Sequence, residues 1–457
     1  MGFSMTDLHS ALTDAGVTAV FDGDIIAAHS VDHARLVEPG RAAALVRARS
    51  TEEVSAVLRL ASELRVPVVP QGARTGLAGS ATAVDGAILL DVSGMDAIVS
   101  LDPVDRTAVC QPGVRNAAIS KAAAEYRLRY APDPGSWETS TIGGNIATAA
   151  GGMCCVKYGV TAEYVLGLEV VLASGEVMRC GRRTAKGVAG YDLARLFCGS
   201  EGTLGVITEA TLKLSPIPAD RLTLAAVFDT TAAAGRAVTA IMSSGAQPSL
   251  LELIDNVHLR ALEDLRPMGL PVDAAALLLV AADTDPVAEL AEIERLCEDA
   301  GAAEVYRATD AAEADALLES RRSAYHAMER MGTVLVDDVA VPRSRLAEAL
   351  DGVAASAERH GVVIGVIAHA GDGNLHPNIV VHPEDEASVA AGRAAFDEIL
   401  EMALAMGGTI TGEHGVGLLK RDWLEREVDP VNLAVQRRIK HALDPLGILN
   451  PGKVLAG

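Results

Sequence analysis

Residues 69–79 read Val69-Pro70-Gln71-Gly72-Ala73-Arg74-Thr75-Gly76-Leu77-Ala78-Gly79, and the apolar run that leads into them, 66–70, has the composition of a strand. Closely spaced glycines let backbone N–H groups converge on an anion with no Cβ in the way, which suits a phosphate or pyrophosphate. Taken alone, such a loop is more often a plain turn. Three further clusters follow it: Pro132-Asp133-Pro134-Gly135, then Thr141-Ile142-Gly143-Gly144-Asn145 with Gly151-Gly152, then Gly199-Ser200-Glu201-Gly202-Thr203-Leu204-Gly205. Four clusters in succession suit a long ligand lying against backbone. None has the GxGxxG or GxxxxGK[ST] spacing, so the nicotinamide-type fingerprint and the P-loop are both excluded.

Around these loops the chain separates into regions of different rhythm. Its 457 residues exceed one ordinary core, and 49% apolar against 22% charged residues is a globular balance. After an amphipathic helix at 6–15, short β-rich runs at 66–70, 87–92, 97–101, 107–114, 165–173 and 177–179 are punctuated by glycine. From about Arg221 apolar runs alternate with long helical patterns: 222–228, 276–282, 333–341, 362–369 and 376–381 as strands, 286–300, 311–331 and 343–359 as helices. The expected fold class is α+β, with a first domain over 1–219, a helix-covered sheet over 220–405 and a C-terminal segment over 406–457.

Composition narrows the partners. Lys plus Arg number 39 against 61 Asp plus Glu, a net charge of −22 with no basic block, which argues against nucleic acid. No apolar run approaches the ~18 residues of a membrane span, and no signal pattern opens the chain, so the expected location is cytoplasmic. The six cysteines show no CxxC pairing and read as reduced thiols.

The second half carries a different constellation. His369-Ala370-Gly371-Asp372-Gly373-Asn374-Leu375-His376 sets two imidazoles at the ends of a glycine turn between apparent strands, where a hairpin lets them meet. Strand alternation also puts His376 and Asn378 on one face. Thr411-Gly412-Glu413-His414-Gly415-Val416-Gly417 adds a carboxylate beside a third histidine. Two His and one Glu make a divalent-metal set with open positions, although each motif alone also reads as turn-capping or core histidines and a solvated loop.

The 69–79 string, the PDPG and TIGGN segments, Lys186-Gly187-Val188-Ala189-Gly190-Tyr191-Asp192-Leu193 and the GSEGTLGVIT stretch at 199–208 resemble the vanillyl-alcohol-oxidase/PCMH-type FAD-binding domain over about 35–215. With the two histidine motifs and the closing stretch 443–453, the whole chain resembles the FAD-linked oxidases, the group of D-lactate dehydrogenase, the glycolate oxidase D-subunit and D-2-hydroxyglutarate dehydrogenase. The resemblance implies a PCMH-type FAD domain, a cap domain carrying substrate groups, and a tail returning to the FAD domain.

It also implies a set of roles. Gly72, Arg74, Thr75, Gly76, Leu77 and Gly79 hold the pyrophosphate, and Pro134, Gly135, Thr141, Gly144, Gly151, Gly205 and Ile207 line the rest of FAD, with Asn450 approaching the flavin. No His lies in the first loop or in 131–152, so the FAD is expected to be noncovalent. His369, His376 and Glu413 bind a divalent metal, Zn²⁺ first, with Mn²⁺ and Fe²⁺ also suited to the donor set. His414 acts on the substrate, as general base to its hydroxyl. Arg321, with Arg322 as its rival, takes the substrate carboxylate, and Asn378 is a second substrate contact.

Relatives acting on 2-hydroxyglutarate have Lys where this chain has Val336 and Thr where it has Tyr325, which directs the reading towards D-lactate or glycolate. The expected activity is oxidation of that 2-hydroxy acid by hydride transfer to flavin. Its alternatives are a D-2-hydroxyglutarate-type dehydrogenase, a non-catalytic flavin-binding subunit, or an alkyl-transfer enzyme resembling alkyldihydroxyacetone-phosphate synthase. An electron acceptor of unassigned identity is required, and a homo-oligomer is compatible with the chain.

Overall fold

The computed structural model describes residues 5–456. They form two compact units: residues up to Gly151, Val160–Ile217 and Glu413 onward make the first, and Gly152–Gly159 with Pro218–Gly412 the second.

The first unit contains two main sheets. In one, strand Ala44–Arg47 runs parallel to Ile88–Asp91, which runs parallel to Val68–Gln71, with the short strand Ala19–Val20 antiparallel at the edge. These three parallel strands are mostly buried, as their near-continuous apolar composition requires. Helix Thr51–Leu64 makes the crossover between the first and the last of them. Ser50 caps its start by accepting from Glu53 N, and its apolar face buries Val54, Val57, Leu58 and Ala61. The second sheet is antiparallel, in the order Ile98–Asp102, Thr107–Cys110, Val206–Lys213, Val165–Val171, Val177–Gly181. The run expected at 107–114 stops at Cys110 because the chain turns there: Gly113 N donates to Met95 O, and a Cβ on Gly113 would lie 2.4 Å from Ser93 O.

The C-terminal tail returns to the parallel sheet. Val68 N donates to Ile448 O and Asn450 N to Val68 O, both at 2.8 Å, and Leu449 enters the core beside Val68, Ile88 and Leu90. Behind it sits a buried charge cluster. Lys453 Nζ donates to Thr82 O at 2.6 Å and to Asn450 Oδ1 at 3.1 Å, facing the carboxylates of Asp32 and Glu201. Burial pulls Lys453 down to about 8, against the attraction of the two acids, and burial raises both acids.

In the second unit a single antiparallel sheet runs Glu304–Arg307, Leu222–Phe228, Ala276–Ala282, Leu250–Asp255, Ile364–His369, Asn374–Val381, Thr333–Val336, with Val339–Ala340 also paired to Asn374–Val381. Helices Thr231–Ser244, Pro286–Ala300, Ala311–Glu329, Leu346–His360 and Glu386–Ala405 cover it. The run expected as one strand over 333–341 is split. Asp337 and Asp338, both fully buried, interrupt it, and Asp337 Oδ1 accepts from Asp338 N.

Among the described residues the cysteines form no disulfide, and burial pushes Cys110 and Cys297 up to about 12. No described helix is long and apolar enough to cross a membrane. Replacing Lys453 with Met leaves two buried carboxylates without their cation, and the variant is expected to lose about 3 kcal/mol of stability. Chemical denaturation measures it, and an unchanged midpoint would contradict a structural role for the cluster.

Candidate functional site

In the second unit the pairing register decides which polar groups share a face. His369 lies opposite Asn374 and, on its other side, opposite Glu252; Ile367 lies opposite His376, and Asn378 opposite Val336. Directly paired residues, and those two positions along, project from the same face of a sheet. Glu252, His369, Asn374, His376, Asn378 and Val336 therefore stand together.

The imidazoles of His369 and His376 meet nearly at right angles, with ring centroids 5.0 Å apart. Both are buried. A carboxylate lies behind each: His369 Nδ1 is 2.7 Å from Glu252 Oε1, and His376 Nδ1 is 3.6 Å from Asp338 Oδ1. Arg321, on helix Ala311–Glu329, is not exposed to solvent as an ordinary surface arginine would be. Its Nε lies 2.7 Å from Glu252 Oε2, and its side chain is 8% exposed. Asn378 Nδ2 donates to His376 O at 3.0 Å and lies 3.3 Å from His258 Nε2, while Asp255 Oδ1 sits 3.0 Å from His258 Nδ1. With the imidazole N–H held by Asp255, Nε2 is the acceptor for the Asn378 amide, and Asn378 Oδ1 is left buried with no hydrogen-bond partner.

Asp338 also pins the strap that precedes Glu413. Its Oδ1 accepts from Asn374 Nδ2 at 2.8 Å and its Oδ2 from Thr411 Oγ1 at 2.7 Å. Gly412 lies so close to the hairpin that a Cβ would fall 2.2 Å from Asn374 Nδ2.

In the first unit the glycine loop 72–79 follows strand Val68–Gln71, with Arg74 in the left-handed region at φ 57°. Gly72 abuts Thr141, the residue that precedes helix Ile142–Thr148. Thr75, Gly76, Leu77 and Gly144 are half-buried, and Gly135 has open space where its Cβ would be. A 370 Å³ cavity is lined by Gly72, Ala73 and Arg74 together with Arg47, Arg49 and Arg115.

The Glu413-His414 motif lies against the same glycine loops. A Cβ on Gly151 would fall 2.2 Å from Glu413 Oε2, Val416 N and Gly417 N donate to the Glu201 carboxylate at 2.7 and 2.8 Å, and Leu418 N donates to Ala78 O at 2.9 Å, beside Gly79. His414 is half-buried, with Nε2 4.0 Å from Glu413 Oε1.

Three more of the residues singled out from the sequence lie in the same unit. Gly205 is a packing glycine, since a Cβ there would lie 2.4 Å from Val170 Cγ1, and neighbouring Ile207 is buried in its strand. Asn450 spends its amide on Ser80 O at 2.9 Å and Glu201 O at 2.6 Å, clamping the first loop to the GSEG turn.

Glu252 and Asp338 were missed, though each stands as a carboxylate in an otherwise apolar run, Leu250-Leu251-Glu252-Leu253-Ile254 and Val334-Leu335-Val336-Asp337-Asp338-Val339. A charge placed where a strand should bury apolar side chains is the signal that could have found them.

The residues present fit both the FAD and the divalent metal that the sequence implies. The glycine loops hold buried polar atoms with no hydrogen-bond partner, Gln71 Oε1, Ser140 Oγ, Thr141 Oγ1 and Asn145 Nδ2, as a cradle for a polar cofactor should. The hairpin offers two imidazoles, each with a carboxylate behind it, which is how histidine metal ligands are oriented.

A family model described as an FAD binding domain matches residues 42–181, and one described as the C-terminal domain of FAD linked oxidases matches 217–454. The chain is 42% identical over 417 residues to the glycolate oxidase subunit GlcD of Bacillus subtilis, covering 90% of this chain and 89% of that protein. It is 37% identical over 420 residues to the D-lactate dehydrogenase of Archaeoglobus fulgidus, covering 90% and 91%. Among solved structures, p-cresol methylhydroxylase with substrate bound has a TM-score of 0.82 at 18% identity, covering 100% of this chain and 98% of that one, a likeness of fold.

The Thr141 hydroxyl has no protein partner to lose. Thr141→Val is therefore expected to leave the apo chain at least as stable while weakening flavin retention by about tenfold, the worth of one hydrogen bond. Flavin-fluorescence titration and thermal unfolding of the apo protein test the two halves separately.

Proposed function

Because the chain belongs to the FAD-linked oxidase family, we propose that it oxidises a small 2-hydroxy acid, D-lactate or glycolate, to the 2-oxo acid, with a divalent cation assisting beside noncovalent FAD. The observation that carries this reading is the buried imidazole pair of His369 and His376 with a carboxylate behind each ring. Two relatives named for glycolate and D-lactate support the substrate class.

An alcohol is too weak an acid to ionise unaided at neutral pH. A divalent cation, when bound, would supply Lewis-acid polarisation of the hydroxyl, and FAD would supply the hydride acceptor. The remaining tasks fall to this chain's own side chains. His369, His376 and Glu413 would hold the cation, and Glu413 is two residues along the chain from Thr411, which Asp338 anchors to the same hairpin. His414, next in sequence, takes the hydroxyl proton. The terminal nitrogens of Arg321 take the substrate carboxylate, while the guanidinium is ion-paired through Nε with Glu252. Asn378 Oδ1 accepts a hydrogen bond from the substrate, because its amide nitrogen is already held by His376 O and His258.

The substrate's far end is read by what stands beside Asn378. Its cross-strand neighbour is Val336, buried and apolar, which supplies no cation for a second carboxylate. That favours a short or apolar monocarboxylate over 2-hydroxyglutarate.

Anaerobic D-lactate or glycolate is expected to bleach the flavin absorption, and prior chelation to slow it. His414→Ala is expected to stay folded and yellow with flavin reduction slowed ~10²–10⁴-fold, the weight of a general base. Stopped-flow absorbance reads both, and a flavin that no 2-hydroxy acid bleaches would instead identify a non-catalytic flavin-binding subunit.

A further inference from the structure

We propose that Glu252 is a positioning residue that fixes the tautomer of His369 for metal ligation and at the same time holds Arg321; the inference rests on the metal reading above.

Glu252 is fully buried in the middle of strand Leu250–Asp255. A lone carboxylate there costs several kcal/mol unless it is paired. The two oxygens are divided between two partners. Oε1 lies 2.7 Å from His369 Nδ1 and Oε2 2.7 Å from Arg321 Nε. An ionised carboxylate only accepts, so the imidazole must present N–H at Nδ1. Nε2 is then the nitrogen that carries the lone pair, and the ring cannot rotate without giving up the Nδ1 bond. The guanidinium on the other oxygen keeps the carboxylate from turning.

This arrangement sets a demand that an amide of the same shape cannot meet. In Glu252→Gln, directing the amide oxygen to His369 sets an NH₂ group 2.7 Å from Arg321 Nε, in place of the anionic oxygen that pairs with that cation. Directing the oxygen to Arg321 brings the NH₂ against His369 Nδ1, which forces the proton onto Nε2 and removes the lone pair a metal needs. Either choice loosens the ligand, while the glycine loops belong to the other unit and keep their own contacts.

The test measures metal affinity of the FAD-loaded protein by chelator competition with Zn²⁺, alongside flavin content and thermal unfolding. Wild type should hold about one Zn²⁺ per chain. Glu252→Gln should bind it 10–100-fold more weakly at unchanged flavin content, the usual cost of losing such a partner. Glu252→Asp, which keeps the charge but withdraws it by one methylene, covers the case in which the amide variant does not fold, and it should also bind more weakly. Adding Arg321→Met to Glu252→Gln removes the cation that the amide cannot neutralise and should recover most of the affinity. Unchanged affinity in the Gln and Asp variants, or no recovery in the double variant, overturns the positioning role. A wild type that holds no metal overturns the metal reading itself.

Discussion

An antiparallel pairing leaves no freedom about which side chains share a face, and two such pairings, Glu252 with His369 and His369 with Asn374, bring the central polar groups of the second unit's site onto one face. Slipping either by one residue would turn the imidazoles into the opposite layer and bring apolar neighbours in their stead. Buried apolar strands resist such a slip: Leu250–Asp255 and its neighbour Ala276–Ala282 are buried almost throughout. The register is stabilised by the core and used by the site.

The first unit solves a different problem, that of holding glycine-rich loops in place when they have few side chains to pack. Its solution is a buried polar framework drawn from distant parts of the chain. Glu201 accepts from the backbone of Val416 and Gly417 and from Ser80, Asn450 bridges Ser80 and Glu201, and Lys453 ties Thr82 to Asn450. Segments 121 to 371 residues apart are thereby fixed by hydrogen bonds, several of them charge-assisted, rather than by apolar contact. The cost of burying these groups shows in the lowered Lys453 and the raised Glu201 and Asp32.

Much of this was legible beforehand. The glycine clusters, the strand before the first of them, the hairpin between His369 and His376 and the helices over the second sheet all follow from short-range chemistry: turn residues, capping and the two hydrophobic periods. What escaped was long-range. The split at Asp337-Asp338 looks like a strand by its flanks, and only the packing that buries both acids interrupts it. The bonds from the Asn450 amide to Ser80 O and Glu201 O likewise join segments that no local pattern announces as neighbours.

By itself, then, the sequence determined the kind of chemistry: a backbone cradle for a long anionic cofactor and a nitrogen-and-oxygen donor set, because those depend on which residues are present and how closely they are spaced. Tertiary structure decided how the donors are held. Glu252 stands 117 residues from the histidine it orients and Asp338 73 residues from the threonine it anchors. Such partners are chosen by sheet order and register, which arise from burying the whole apolar surface at once and leave no trace in any local stretch of chain.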